Sequence, residues 1–103
     1  MLRSSHELLI PDHDFAFDTV SDVEQPLDEA LLTAGVGEVT GGGIGAGWYR
    51  IEMTLERPAE AFAVIHQLAR RLGLPPSTLL RKIGETHARP LGEAAAEAQE
   101  TGG

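Results

Sequence analysis

The densest group of side chains able to ligate a metal is Asp12-His13-Asp14, with Asp18 close behind. Carboxylates and an imidazole suit a divalent cation, but a calcium loop also needs a central glycine and a distal glutamate, and neither stands at the right spacing. If this segment is extended, Asp12, Asp14 and Asp18 share one side and His13 faces the other. The expectation is a solvated acidic turn with no metal and no cofactor, its three aspartates open to a basic partner.

A second stretch invites a phosphate. Between Gly37 and Gly47 six of eleven residues are glycine, and Gly41-x-Gly43-x-x-Ala46 has the letters of a dinucleotide fingerprint. That motif works because a helix N-terminus follows the loop and offers N–H groups and a positive dipole to the pyrophosphate. Here Trp48-Tyr49-Arg50-Ile51-Glu52-Met53-Thr54-Leu55 follows, which alternates like a strand, and the Lys-Ser/Thr ending of a P-loop is missing. The glycines are expected at the tip and inner half of a hairpin, with positive-φ turns. Trp48 beside them is the one large aromatic that could anchor a partner.

Catalytic constellations are absent from the pattern. No nucleophile elbow, histidine pair at metal spacing or serine with a nearby base appears. Without cysteine there is no thiolate nucleophile, disulfide or zinc ribbon. His66 falls about 100° from the centre of an apolar helical stripe, which makes it a boundary residue. His6 and His87 have no partner nearby in sequence, and Glu52 and Glu56 sit on the solvent side of a strand.

Those residues need elements to hold them. His6–Ile10, stopped by Pro11, reads as a first strand, and Phe15–Val20 is a second candidate. Ser21-Asp22-Val23-Glu24 fits a capping box, with Pro26 as an alternative first helical residue. Val23, Leu27, Ala30, Leu31 and Ala34 then share a face up to Gly35. Glu38–Thr40 is a short strand. After the glycines, Tyr49, Ile51, Met53 and Leu55 form the buried side of the clearest strand, opposite Arg50, Glu52, Thr54 and Glu56. Pro58 opens a second helix with Ala61, Phe62, Ile65, Leu68, Ala69 and Leu72 on one side, ended by Gly73 and Pro75. Thr78–Ile83 reads as a closing strand. Beyond His87 the pattern fades, and too few large apolar residues remain to dock a helix. The division expected is a single α+β domain over 1–87 and a flexible tail over 88–103.

The resulting order is strand, helix, strand, strand, helix, strand: a ferredoxin-like βαββαβ sandwich with two helices on one face of an antiparallel sheet. An extra N-terminal strand is left open. The run Gly35–Gly43, the alternating strand, and Leu72-Gly73-Leu74-Pro75-Pro76-Ser77-Thr78 together resemble a group of small, uncharacterised bacterial proteins of this architecture. The likeness covers residues 6–83. It implies the fold and carries over no functional motif.

Residues 65–83 also resemble a helix-turn-helix, with Ala69 at the helix crossing, Gly73 at the turn and Arg81, Lys82 and Arg89 toward phosphates. That gives an alternative role as a DNA-binding regulator. Its mark is a helix over Thr78–Ile83, where the sandwich requires a strand.

The chain has 103 residues and a formal net charge of −8. Residues 1–48 hold nine acids and one base, and residues 49–103 hold seven of each. An acidic first half repels phosphate backbones and disfavours nucleic acid. No apolar run approaches the roughly 20 residues of a membrane helix, and the N-terminus lacks a signal peptide's apolar stretch, so a cytoplasmic protein without a membrane partner is expected. The reading is a non-enzymatic protein acting through protein–protein contacts. Trp48, Arg50 and Glu52 would meet a second copy or a partner on the sheet, and Asp12, Asp14 and Asp18 would dock a basic target, as an immunity or inhibitor protein does. An enzyme using His13 or His66, or a small-ligand regulatory domain, are the other classes.

Overall fold

In the computed structural model, which describes residues 3–102, the sheet is built around β1 (Ser4–Pro11) and β3 (Trp48–Leu55). They pair antiparallel along their whole length, from Ser4 opposite Leu55 to Pro11 opposite Trp48. β2 (Gly37–Gly45) flanks β3, while β4 (Leu79–Lys82) and the two-residue β5 (Arg89–Pro90) extend the other side of β1. The order is β2-β3-β1-β4-β5, with every neighbouring pair antiparallel. Three helices complete it: α1 (Ser21–Ala34), α2 (Pro58–Leu72) and α3 (Leu91–Gly102).

One face of the sheet takes all the helices. Leu8 and Ile10 of β1 and Ile51, Met53 and Leu55 of β3 form a single cluster with Val23, Leu27 and Leu31 of α1, Ala61, Ile65 and Leu68 of α2, and Leu91 and Ala94 of α3. The parity of β3 and the stripe of α2 produce this directly, because periods of 2 and 3.6 each bring one side of their element to the same layer. Both α1 and α2 end in a left-handed glycine, Gly35 at φ 68° and Gly73 at φ 77°. In each case the next N–H reaches back to the helix, Val36 to the carbonyl of Leu31 and Leu74 to that of Ala69. The carbonyls that a helix end leaves free are satisfied this way.

The architecture is α+β and compatible with the ferredoxin-like class, but the five-strand order and the third helix depart from a strict βαββαβ fold. The chain beyond His87 is the source of the difference. Leu91, Ala94 and Ala95 are buried, and α3 packs on α2. Alanines allow that close approach where larger side chains would hold the helices apart. Residues 88–103, read above as a tail, therefore contain part of the same core.

Two other readings change, while the closing strand expected over Thr78–Ile83 forms. Phe15–Val20 is not a strand: Phe15 stacks on Tyr49 with ring centroids 4.0 Å apart, and Phe17 lies against Phe15, so the pair closes one end of the core. Ser21 does not cap α1, since the helix already includes it. Asp22 instead accepts from the Thr19 N–H at 3.2 Å, and Pro26 lies inside the helix. Leu79–Lys82 is strand β4, paired with β1, which leaves no recognition helix in the stretch that resembles a helix-turn-helix.

Candidate functional site

Among the described residues no helix contributes to the second face of the sheet, and the strands place there a set of side chains unlike an ordinary solvated surface. β3 contributes Trp48, Arg50, Glu52 and Thr54, because their neighbours Tyr49, Ile51, Met53 and Leu55 turn to the core. β1 contributes Glu7 and Leu9. Both are buried, at 4% and 6% exposure, yet neither belongs to the core cluster. β4 contributes Leu79 and Arg81, opposite Leu9 and Glu7 respectively.

Glu7 organises the charges. Arg81 Nη2 donates to Glu7 Oε1, and Arg50 Nη1 approaches Glu7 Oε2 at 4.0 Å from the other flank. The carboxylate is thus held between two guanidinium groups, as a charge removed from water must be. The arginine side chains remain 44% and 33% exposed, so their outer N–H groups still face solvent. Beside them Leu9, Trp48, Gly45 and Ala46 complete a depression of about 480 Å³. Arginine's apolar stem explains how Leu9 is covered without a helix above it.

β2 shapes the rim by what it lacks. Val39 faces the core, a bulge follows between Val39 and Gly41, and the next residues on the uncovered side are Gly41 and Gly43, beside Glu52 and Arg50. A Cβ on Gly43 would lie 3.5 Å from Arg50 Nη2, and one on Gly41 would lie 3.7 Å from Glu52 Oε1. The glycine run is therefore strand for most of its length. Only Ala46 and Gly47, at φ 54° and 85°, make the turn.

Trp48, Arg50 and Glu52 come together on this face as their spacing implied. Asp12, Asp14 and Asp18 do not join them. Asp12 and Asp14 sit in a 3-10 turn, where the Asp12 N–H meets the Gly47 carbonyl and Asp14 accepts from Ser77 Oγ at 3.1 Å. His13 Nε2 lies 3.3 Å from Asp14, so the turn brings together two groups that an extended chain would separate. Asp18 is exposed before α1. Among the described residues no group of three or more His, Cys, Asp or Glu side chains is arranged to hold a metal, and no helix is long and apolar enough to cross a membrane.

Sequence reasoning missed Glu7 and Leu9, and it set Arg81 toward phosphates in the helix-turn-helix alternative, not on this face. The available signal was an ionisable residue inside the apolar run His6–Ile10, which a strand can hold only if something pairs with it. Comparison with protein families, with curated proteins and with solved structures finds no match to this chain.

Proposed function

We propose that this chain is a binding protein without catalysis of its own, and that it associates with a second copy through the uncovered sheet face. The observation that carries this reading is charge balance. At the centre of that face Glu7 and Glu52 offset Arg50 and Arg81, on a molecule whose formal net charge is −8. Acidic copies repel over most of their surfaces, whereas a balanced face is self-complementary about a two-fold axis. Trp48 gives an anchor, and the bare backbone at Gly41 and Gly43 gives room for it.

The sheet edges favour the same conclusion. The Val39 N–H of edge strand β2 donates to Asp28 Oδ1 at 2.9 Å, and the neighbouring bulge interrupts the ladder. The opposite edge is the two-residue β5, which contains Pro90. Features of this kind discourage strand addition at the edges, which supports face-to-face packing.

Sedimentation equilibrium tests it. The native chain is expected to dimerise, Glu52→Arg to dissociate by gaining two positive charges per face, and Arg50→Glu/Glu52→Arg to recover. A native chain that stays monomeric up to about 1 mM, or a Glu52→Arg variant that associates as well as the native one, would overturn the reading.

A further inference from the structure

Two arginines on the uncovered sheet face are fixed in place without being used up. Glu7, with 5% of its side chain exposed, lies between them: Arg81 donates to Oε1, and Arg50 Nη1 stands 4.0 Å from Oε2. A guanidinium presents several N–H donors in a rigid fork, so one carboxylate oxygen does not exhaust it. One buried carboxylate therefore orients two cations and neutralises only one of them. Both arginines line the depression of about 480 Å³ next to Trp48 and Leu9. We propose that this depression binds a small aromatic monocarboxylate, its head group on Arg50 and Arg81 and its ring against Trp48 and Leu9.

The space is open where a ring would lie. Gly45 is opposite Trp48 in the β2–β3 register, and a Cβ added to it would meet nothing within 4 Å. Ala46, the next residue, brings only a methyl group to the same rim. A second ring can thus reach the indole, where aromatic pairs gain beyond the area that they bury. The carboxylate end is set by the strands. Arg50 is opposite Leu9 across β1–β3, and Arg81 is opposite Glu7 across β1–β4, so the two guanidinium groups approach from different strands. Paired N–H donors held in this way match the planar, bidentate geometry of a carboxylate.

Charge narrows the ligand further. Glu52, which balances the face as a whole, is opposite Glu7 and does not line the depression. Inside it one cation's charge is left unspent, and a single negative charge completes the balance. A dianion or a polyphosphate would exceed it, on a chain whose formal net charge is already −8. The volume lies within the usual range of small-molecule sites.

The chain has one tryptophan, so its indole N–H gives a single resonance that reports on this depression. The ¹⁵N-labelled full chain is titrated with sodium 3-phenylpropionate, the neutral 3-phenylpropanol, inorganic phosphate and sodium chloride, at matched ionic strength. Phenylpropionate is expected to shift the Trp48 indole and the Gly45 amide saturably, and chloride to leave them in place. Phenylpropanol should bind about tenfold more weakly, the worth of a hydrogen bond to a charged group, and Arg50→Gln should weaken phenylpropionate by a similar factor. Gly45→Val touches no charge and fills the open space; Gly45 is a strand residue without a positive φ, so the variant should keep the native fold and lose the ligand. Phenylpropionate shifts no larger than those of chloride would overturn the proposal. So would phenylpropanol or phosphate binding as tightly as phenylpropionate, or undiminished binding by Gly45→Val. A chain that binds phenylpropionate while staying monomeric overturns only the sheet-face reading, and one that dimerises without binding it overturns only this one.

Discussion

Glu7 lies directly across the β1–β4 ladder from Arg81 and accepts its guanidinium, with only 5% of the glutamate side chain exposed. Removing the arginine strands a carboxylate that cannot rehydrate. Breaking a fully buried pair costs about 3–5 kcal/mol, but Arg81 is 33% exposed and Arg50 stays within reach of the other oxygen. Arg81→Met is therefore expected to lose about 2 kcal/mol in urea denaturation. Glu7→Leu/Arg81→Met should regain most of it. If the single variant unfolds at the native urea midpoint, the pair is not structural.

The glycines of β2 are expected to divide by face. Gly42 is opposite Ile51 on the core side, and a Cβ there would lie 2.5 Å from the Arg50 carbonyl oxygen, which is backbone and cannot move aside. Gly43, on the other face, has only the mobile Arg50 guanidinium at 3.5 Å. Gly42→Ala should destabilise by about 1–3 kcal/mol. Gly43→Ala should be neutral or stabilising, since alanine costs less backbone entropy to order. Equal effects in the two variants, read from denaturation midpoints, would contradict this register.

Much of the fold was legible because its signals are local. β3 alternates cleanly, α2 has a proline at its start and a glycine at its end, and both occur as read. Parity likewise brought Trp48, Arg50 and Glu52 to one surface. What stayed hidden depends on distant pairing. Glu7 is explained by Arg81, 74 residues away, with Arg50 on its other flank, and a run of apolar residues around a glutamate does not name its partners. α3 was obscure for a different reason: its docking rests on small alanines and on Gly92, and a search for large apolar side chains overlooks a helix that packs by close approach. The phenylalanines at 15 and 17 have strand propensity, yet stacking on Tyr49 satisfies them without a ladder.

The hairpin turn carries removable strain. Ala46 is held at φ 54° in the first central position of a two-residue turn between Gly45 and Trp48. Glycine and asparagine adopt that conformation more readily than alanine, which is why they dominate such turns. Ala46→Gly or Ala46→Asn should raise stability by about 0.5–1 kcal/mol and the melting temperature by several degrees. Gly47→Ala, at φ 85°, should do the reverse. A native-like melting curve for Gly47→Ala would show that the turn relaxes to another type.

His6 makes stability depend on pH. It is 5% exposed, with its ring edge-on to Phe62 at 5.3 Å. Burial lowers its pKa from the ordinary 6.5, and Lys82, opposite it in the β1–β4 register, adds to the lowering. The Ser4 backbone and Glu85 pull the other way, while His87 and Arg89 line the same small pocket. Because the unfolded chain takes up a proton more readily than the folded one, stability rises with pH across the interval between the two pKa values. His6 therefore costs nothing above its ordinary range. Its penalty grows as pH falls through about 6.5 and levels off once the folded form also protonates. The native melting temperature should fall between pH 7.5 and pH 5, and His6→Leu should flatten that slope relative to the native chain, leaving only the part due to other groups. Parallel pH profiles for the two proteins would mean that His6 is protonated in the folded state as easily as in the unfolded one.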